Sequence, residues 1–130
     1  MIVDTSFLID IMRKEPAAVA ALDRLLRSGE PIVAAAPTIF ELYSGISRSK
    51  RPQEEKEKVL NALSGLIMWP LDAEAAERGG RVDGELISSG AKIDPIDSMI
   101  AGIALSRNSP IISRNARHFS LVKGLKVEKY

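Results

Sequence analysis

Short apolar runs that alternate with longer helical patterns constrain this chain more than any other feature of its sequence. Ile2-Val3, Ile32-Val33-Ala34, Ile67-Met68-Trp69, Ile111-Ile112 and Leu125-Lys126-Val127 read as strands. Between them the spacing predicts helices over 7–13, 17–28, 38–48, 53–65, 73–89 and 96–107, with a short helical turn over 116–119. Ala18, Val19, Leu22, Leu25 and Leu26 share one helical face, while Asp23, Arg24 and Arg27 turn outward. Strands that alternate with helices require a parallel sheet covered on both faces, a three-layer α/β arrangement. A chain of 130 residues holds one such domain, spanning 1–130, and no repeat or linker divides it. Hydrophobic residues make up 45% but aromatic ones only 5%, so the core must be built from aliphatic side chains.

Composition removes several chemistries. Without cysteine there are no disulfides, no thiolate catalysis and no thiolate zinc site. The lone histidine, His118, cannot build a His-rich zinc site. Any metal must be held mainly by oxygen, which favours Mg²⁺ or Mn²⁺. The formal charge of +1 neither favours nor excludes a nucleic-acid partner, since a basic face can hide inside a balanced total. The opening Met1-Ile2-Val3-Asp4 lacks a basic segment followed by a long apolar run, so the expectation is a cytoplasmic protein with no membrane span.

Two stretches are less decisive. Arg48-Ser49-Lys50-Arg51-Pro52 reads as a basic turn with Pro52 opening the next helix, and the charged 53–58 run as its solvated first turns. Gly79-Gly80 and Gly84 fall inside the 73–89 helix, where they allow either close packing or a break.

Acids gather where strands hand over to helices. Asp4 follows the first strand, Glu41 lies on the first turns after the second, and Asp94 and Asp97 open the helix before the fourth strand, which Asn115 follows. In a parallel sheet these handovers share one edge, and ligands collect there. Each position also has a purely local reading. Thr38 and Glu41 fit a capping box, Asp94-Pro95-Ile96-Asp97 is a strong helix start, and Asn115 suits the cap of a short turn. Asp72 could cap the helix after the third strand, or could join the cluster. Asp4 is the hardest to explain as a cap, because Thr5 and Ser6 are available for that role and a carboxylate ending a buried strand is costly unless compensated.

Val3-Asp4-Thr5-Ser6, Glu41-Leu42 with Gly45 four residues on, and Asp97-Ser98-Met99-Ile100-Ala101 resemble the three acidic motifs of PIN domains. Ile112-Ser113-Arg114-Asn115, followed by His118-Phe119, resembles that family's fourth motif. The short form is most similar to the VapC-type toxins of toxin–antitoxin pairs. The resemblance implies a five-stranded parallel sheet of order 3-2-1-4-5, a metal-dependent endoribonuclease activity, an antitoxin that covers the acidic edge, and a homodimer. It also puts the third strand at the sheet edge, which supports Asp72 as a cap. Asp4, Asp97 and Glu41 are the implied metal-binding and catalytic acids. Asn115 joins the catalytic group, Ser113 and Arg114 are candidate substrate contacts, and Ser113 and Asn115 would hydrogen-bond either the ligands or the substrate. Ser113 stands where the family often has Thr, and Asn115 where many members have Asp, which leaves the cluster one charge short for a second metal.

The chemistry that follows is hydrolysis of an RNA phosphodiester. Clustered carboxylates repel one another; a divalent ion relieves that repulsion, acidifies water and stabilises charge on the phosphate. Asp4 and Asp97 are the expected direct ligands, and Glu41 binds through water or orients the attacking water. Arg48, Lys50, Arg114 and Arg117 are candidate phosphate contacts. A non-catalytic RNA- or partner-binding domain would be expected to have lost an acid. A receiver or phosphatase would need a D-x-D motif where Asp4-Thr5-Ser6 stands.

Overall fold

The computed structural model describes all 130 residues. In chain order its elements are β1 (Ile2–Val3), α1 (Thr5–Met12), α2 (Pro16–Ser28), β2 (Val33–Ala35), α3 (Ala36–Arg48), α4 (Pro52–Leu63), β3 (Ile67–Trp69), α5 (Ala73–Ser88), α6 (Pro95–Ser106), β4 (Ile111–Ile112), α7 (Ala116–Phe119) and β5 (Val127–Glu128). The strands pair in parallel, in the order β3-β2-β1-β4-β5. This is the order the resemblance implies. Ile2 stands beside Val33 and Ile111, and Val3 beside Ala34 and Ile112.

Successive strand residues point to opposite faces, and both faces are covered. Ile2, Val33 and Ile111 enter a core with Ile100, Ile103 and Phe119. Val3, Ala34 and Ile112 enter the other with Phe7, Leu25, Leu42 and Val59. That is why the central strands are apolar throughout rather than alternating. Edge strand β3 differs, with Ile67 and Met68 exposed.

Several boundaries shift by one or two residues from the sequence expectation, α1 beginning at Thr5 rather than at 7, and two of the shifts change how local patterns are read. α3 starts at Ala36 directly after β2, with Ala35 as a cap that makes no side-chain bond and Pro37 in the first turn. Thr38 therefore lies inside the helix, fully buried, and the capping-box reading of Thr38 and Glu41 fails. Leu125 instead closes a turn onto Val122, so β5 begins at Val127.

α5 runs unbroken through its glycines. A Cβ on Gly102 would collide with the Ala75 carbonyl oxygen, and one on Gly79 would lie 2.8 Å from the Ser98 carbonyl oxygen. α5 and α6 thus meet backbone to backbone, and this crossing fixes the end of α6 that carries Asp97. Asp72 caps α5, its Oδ1 accepting from the Ala75 N–H at 2.9 Å. No helix is long and apolar enough to cross a membrane.

Candidate active site

The site is built where β1, β2 and β4 end and α1, α3 and α6 begin. Asp4 is the residue between β1 and α1, and it does cap the helix: its Oδ1 accepts from the Phe7 N–H at 2.9 Å. Thr5 and Ser6, expected as caps, are helical residues whose hydroxyls serve the acids instead. Ser6 Oγ donates to the Asp4 carboxylate, 2.9 Å from either oxygen. Ser113 Oγ, just beyond β4, donates to Asp4 Oδ2 at 2.6 Å. Thr5 Oγ1 donates to Glu41 Oε1 at 2.6 Å, which carries Glu41 from α3 toward Asp4.

Asp94 is the N-cap of α6, its Oδ1 accepting from the Ile96 N–H at 2.8 Å with Pro95 at the first helical position. Asp97, in the following turn, makes no such bond and is left facing the sheet edge with its side chain 18% exposed. No Lys or Arg pairs with Asp4, Glu41 or Asp97; the nearest base is His118, whose Nδ1 lies 4.0 Å from Asp97 Oδ2.

The electrostatics follow from burial without a counter-charge. Burial pushes the Asp97 carboxyl up to about 7, with the Asp4, Asp94 and Glu41 charges adding to the shift. Glu41 is raised by burial, eased by the Thr5 bond, and raised further by Asp94 and Asp4. Asp4 is raised by burial against the bonds from Ser113, Phe7 and Ser6. Asp97 and Glu41 thus both feel the neighbouring acids across a single edge.

Among the other sequence candidates, Ser113 is fully buried and turned onto Asp4, so its reach is to a ligand rather than to substrate. Asn115 is exposed; its N–H donates to Ser113 Oγ at 2.8 Å, and its side chain makes no cap bond for α7. Arg114 turns away from the cluster, Nη1 donating to Asp10 Oδ1 at 2.6 Å. Tyr130 donates to the other Asp10 oxygen at 2.8 Å, and its ring stands edge-on to Phe7 at 5.0 Å. Burial, then Asp10, pushes the Tyr130 hydroxyl further up. The roles of Thr5 and Ser6 had a signal in the hydroxyls following Asp4. The Asp10–Tyr130 bond, spanning 120 residues, had none.

The donors fit a divalent cation in kind and in charge: oxygen only, partly buried, mutually repelling and without an internal cation. No three Asp, Glu or His side chains close around one point as a ready cage.

The chain matches the PIN domain family over residues 1–125. It is 33% identical to Ribonuclease VapC19 of Mycobacterium tuberculosis over 125 residues, 95% of each chain. It is 31% identical to the tRNA(fMet)-specific endonuclease VapC of Shigella flexneri, over 98% of this chain and 95% of that one. Its fold superposes on the DNA-bound VapBC structure from Salmonella typhimurium with a TM-score of 0.88 and 27% identity, covering 98% of this chain and 96% of that one. Motifs, sheet order and shared sequence agree: the chain belongs to the PIN-domain family, among relatives named as VapC ribonucleases.

Proposed function

We propose that this protein is a Mg²⁺- or Mn²⁺-dependent endoribonuclease, the toxin of a toxin–antitoxin pair. The observation that carries the reading is Asp4, buried among neutral donors only and sharing its edge with Asp97 and Glu41. Such a cluster is costly alone and becomes favourable when a cation binds.

Asp4 and Asp97 would hold the ion, with Ser6 and Ser113 orienting Asp4 from behind. When bound, the ion supplies positive charge that acidifies water and offsets charge building on the phosphate. Glu41, oriented by Thr5, accepts a proton from the attacking water or aligns it. Asn115 offers a neutral amide at the rim. Water adds to phosphorus as the bond to the leaving oxygen breaks, and that oxygen takes up a proton. With water as nucleophile, no 2′,3′-cyclic phosphate forms.

An antitoxin is supported by similar structures, among them the DNA-bound VapBC from Salmonella typhimurium and a toxin–antitoxin complex from Klebsiella pneumoniae. The acidic edge would accept a basic side chain, best an Arg whose fork pairs with carboxylates. A homodimer is supported by an apolar hollow lined by Ala36, Pro37, Phe40, Leu71, Ile96 and Met99, with Phe40 67% exposed. Light scattering that finds only monomer at micromolar concentration would remove that element.

The deciding experiment incubates purified protein with cellular RNA, with and without Mg²⁺ or Mn²⁺, and maps the cut ends. Metal-dependent cuts, absent in Asp4→Asn and free of cyclic phosphate, are expected. Cutting that persists in excess chelator, or in Asp4→Asn at the wild-type rate, overturns the reading.

A further inference from the structure

A groove of about 420 Å³ runs from the candidate site between α1, α3 and α4. Thr5 and Glu41 connect it to the site, and its other charged walls are Arg13, Arg48, Lys58 and one acid, Glu55. Arg24, Arg27, Arg51, Arg78, Arg81 and Arg114 each pair with a carboxylate; Arg13, Arg48, Arg107 and Arg117 do not, and of these four only Arg13 and Arg48 line the groove. Arg48 reaches only its own helix, Nε donating to the Ser44 carbonyl at 3.3 Å, while Lys58 stands 3.7 Å from Glu55.

The groove also exposes Gly45, one helical turn beyond Glu41. After proline, glycine is the residue least suited to a helix interior. Neither of its usual justifications holds here: φ is not in the left-handed region, and a Cβ at Gly45 would meet nothing within 4 Å. Gly79 and Gly102 are required by their neighbours, whereas Gly45, like Gly80 and Gly84 on α5, leaves open space, and it alone of these three does so on the groove, on the face that leads from Glu41 to Arg48. Those two residues are seven apart, about 10 Å along the helix, roughly the axial span of three nucleotides at about 3.4 Å per phosphate of one strand.

We propose that this groove is the subsite for the RNA strand flanking the cleaved bond, with phosphates on Arg13 and Arg48 and the backbone lying over Gly45. The subsite rests on the ribonuclease reading above. Unpaired cations leading away from an acidic centre suit a polyanion whose one phosphate is attacked while its neighbours are held. A protein partner seated in the same groove is the rival occupant.

The test compares steady-state cleavage of a single-stranded RNA by the full chain and by Gly45→Ala, Gly45→Leu and the double variant Arg13→Gln/Arg48→Gln, at several salt concentrations. Gly84→Ala is the control, since a Cβ there also meets nothing within 4 Å but the residue is on α5. Gly45→Ala is expected to melt at or above the wild-type temperature while raising KM. Gly45→Leu should raise KM about tenfold or more with kcat little changed, equivalent to about 1.4 kcal/mol of lost binding. The double arginine variant should raise KM and reduce the slope of log KM against log salt by about 0.7 for each phosphate it no longer neutralises. Gly84→Ala should gain stability and leave KM alone. Active wild type with unchanged KM in folded Gly45→Leu, or an unchanged salt slope in the arginine variant, overturns the subsite alone. So would variants that lose a protein partner but bind RNA normally. Wild type that cuts no RNA overturns the ribonuclease reading and the subsite with it.

Discussion

Asp4 and Asp10 flank or lie on the same short helix and are almost equally hidden, 2% and 3% exposed, yet their charges are handled in opposite ways. Asp10 receives a guanidinium and a phenol, Arg114 at 2.6 Å and Tyr130 at 2.8 Å, so its charge is answered from within the chain. Asp4 receives only neutral donors, and the charged groups that raise its neighbours are other carboxylates. A buried carboxylate needs compensation, and leaving one without a counter-charge is expensive. The pair therefore separates a structural anion from one kept available for a cation from outside. The same contrast reassigns Arg114: its guanidinium ties the segment after β4 to α1, and that segment carries Ser113 to Asp4.

The sharpest way to break the comparison is to neutralise each acid. Asp4→Asn and Asp97→Asn are expected to keep the fold and lose cleavage by about 100-fold or more, beyond the range typical of residues behind a metal ligand. In chelator neither should melt below wild type, because each removes a repelling charge. Asp10→Asn should do the reverse, melting earlier by about 1–3 kcal/mol of lost hydrogen bonding to Arg114 and Tyr130, with activity preserved in the folded fraction. Thermal melts and cleavage rates on the three variants decide it; equal loss of activity in all three would erase the distinction.

Ser113→Ala tests whether the neutral donors matter to Asp4. Cleavage should fall about 10- to 100-fold with an increased metal requirement, while stability drops by about 1 kcal/mol. Loss of stability alone, at unchanged metal affinity, would make Ser113 a packing residue.

Titration sharpens the contrast further. Asp97 in the folded chain titrates at about 7, against an ordinary 3.8, so between those values the folded state binds more protons than the unfolded one. Stability from this group is therefore full below about 4, declines as pH rises through 7, and then levels off. Asp4 and Glu41 shift in the same direction. Metal-free wild type should lose melting temperature from about pH 4 to 7 and little more above that, and Asp97→Asn should lose less. Mg²⁺ or Mn²⁺ should restore it at the alkaline end, because a ligand of the folded state stabilises it. Parallel melting curves for wild type and Asp97→Asn would contradict the shared field.

The smallest effect is expected at Asp94. Asn caps about as well as Asp, so Asp94→Asn should leave fold and cleavage nearly intact, while Asp94→Ala should cost about 0.5–2 kcal/mol through the lost bond to the Ile96 N–H. A folded but inactive Asp94→Asn, beside an active Asp97→Asn, would reverse the assignment of these two aspartates.

Much of this was legible from residue order. Apolar runs alternating with helical periods dictate a covered parallel sheet, and the handover positions of Asp4, Glu41 and Asp97 follow from that topology. Caps at Asp72 and Asp94 were readable because capping is decided within about three residues. The box pattern of Thr38 and Glu41 misleads for the same reason: with α3 starting at Ala36, the local pattern loses its register. Only the tertiary structure decided which buried acid is neutralised. The partners of Asp10 lie 104 and 120 residues away, and Ser113 reaches Asp4 across 109. No period or cap encodes such distances; they arise when β4 docks beside β1 and the chain beyond β5 returns over α1. Local chemistry thus determined the elements and the candidate acids, whereas long-range packing determined which charge is left to bind something else.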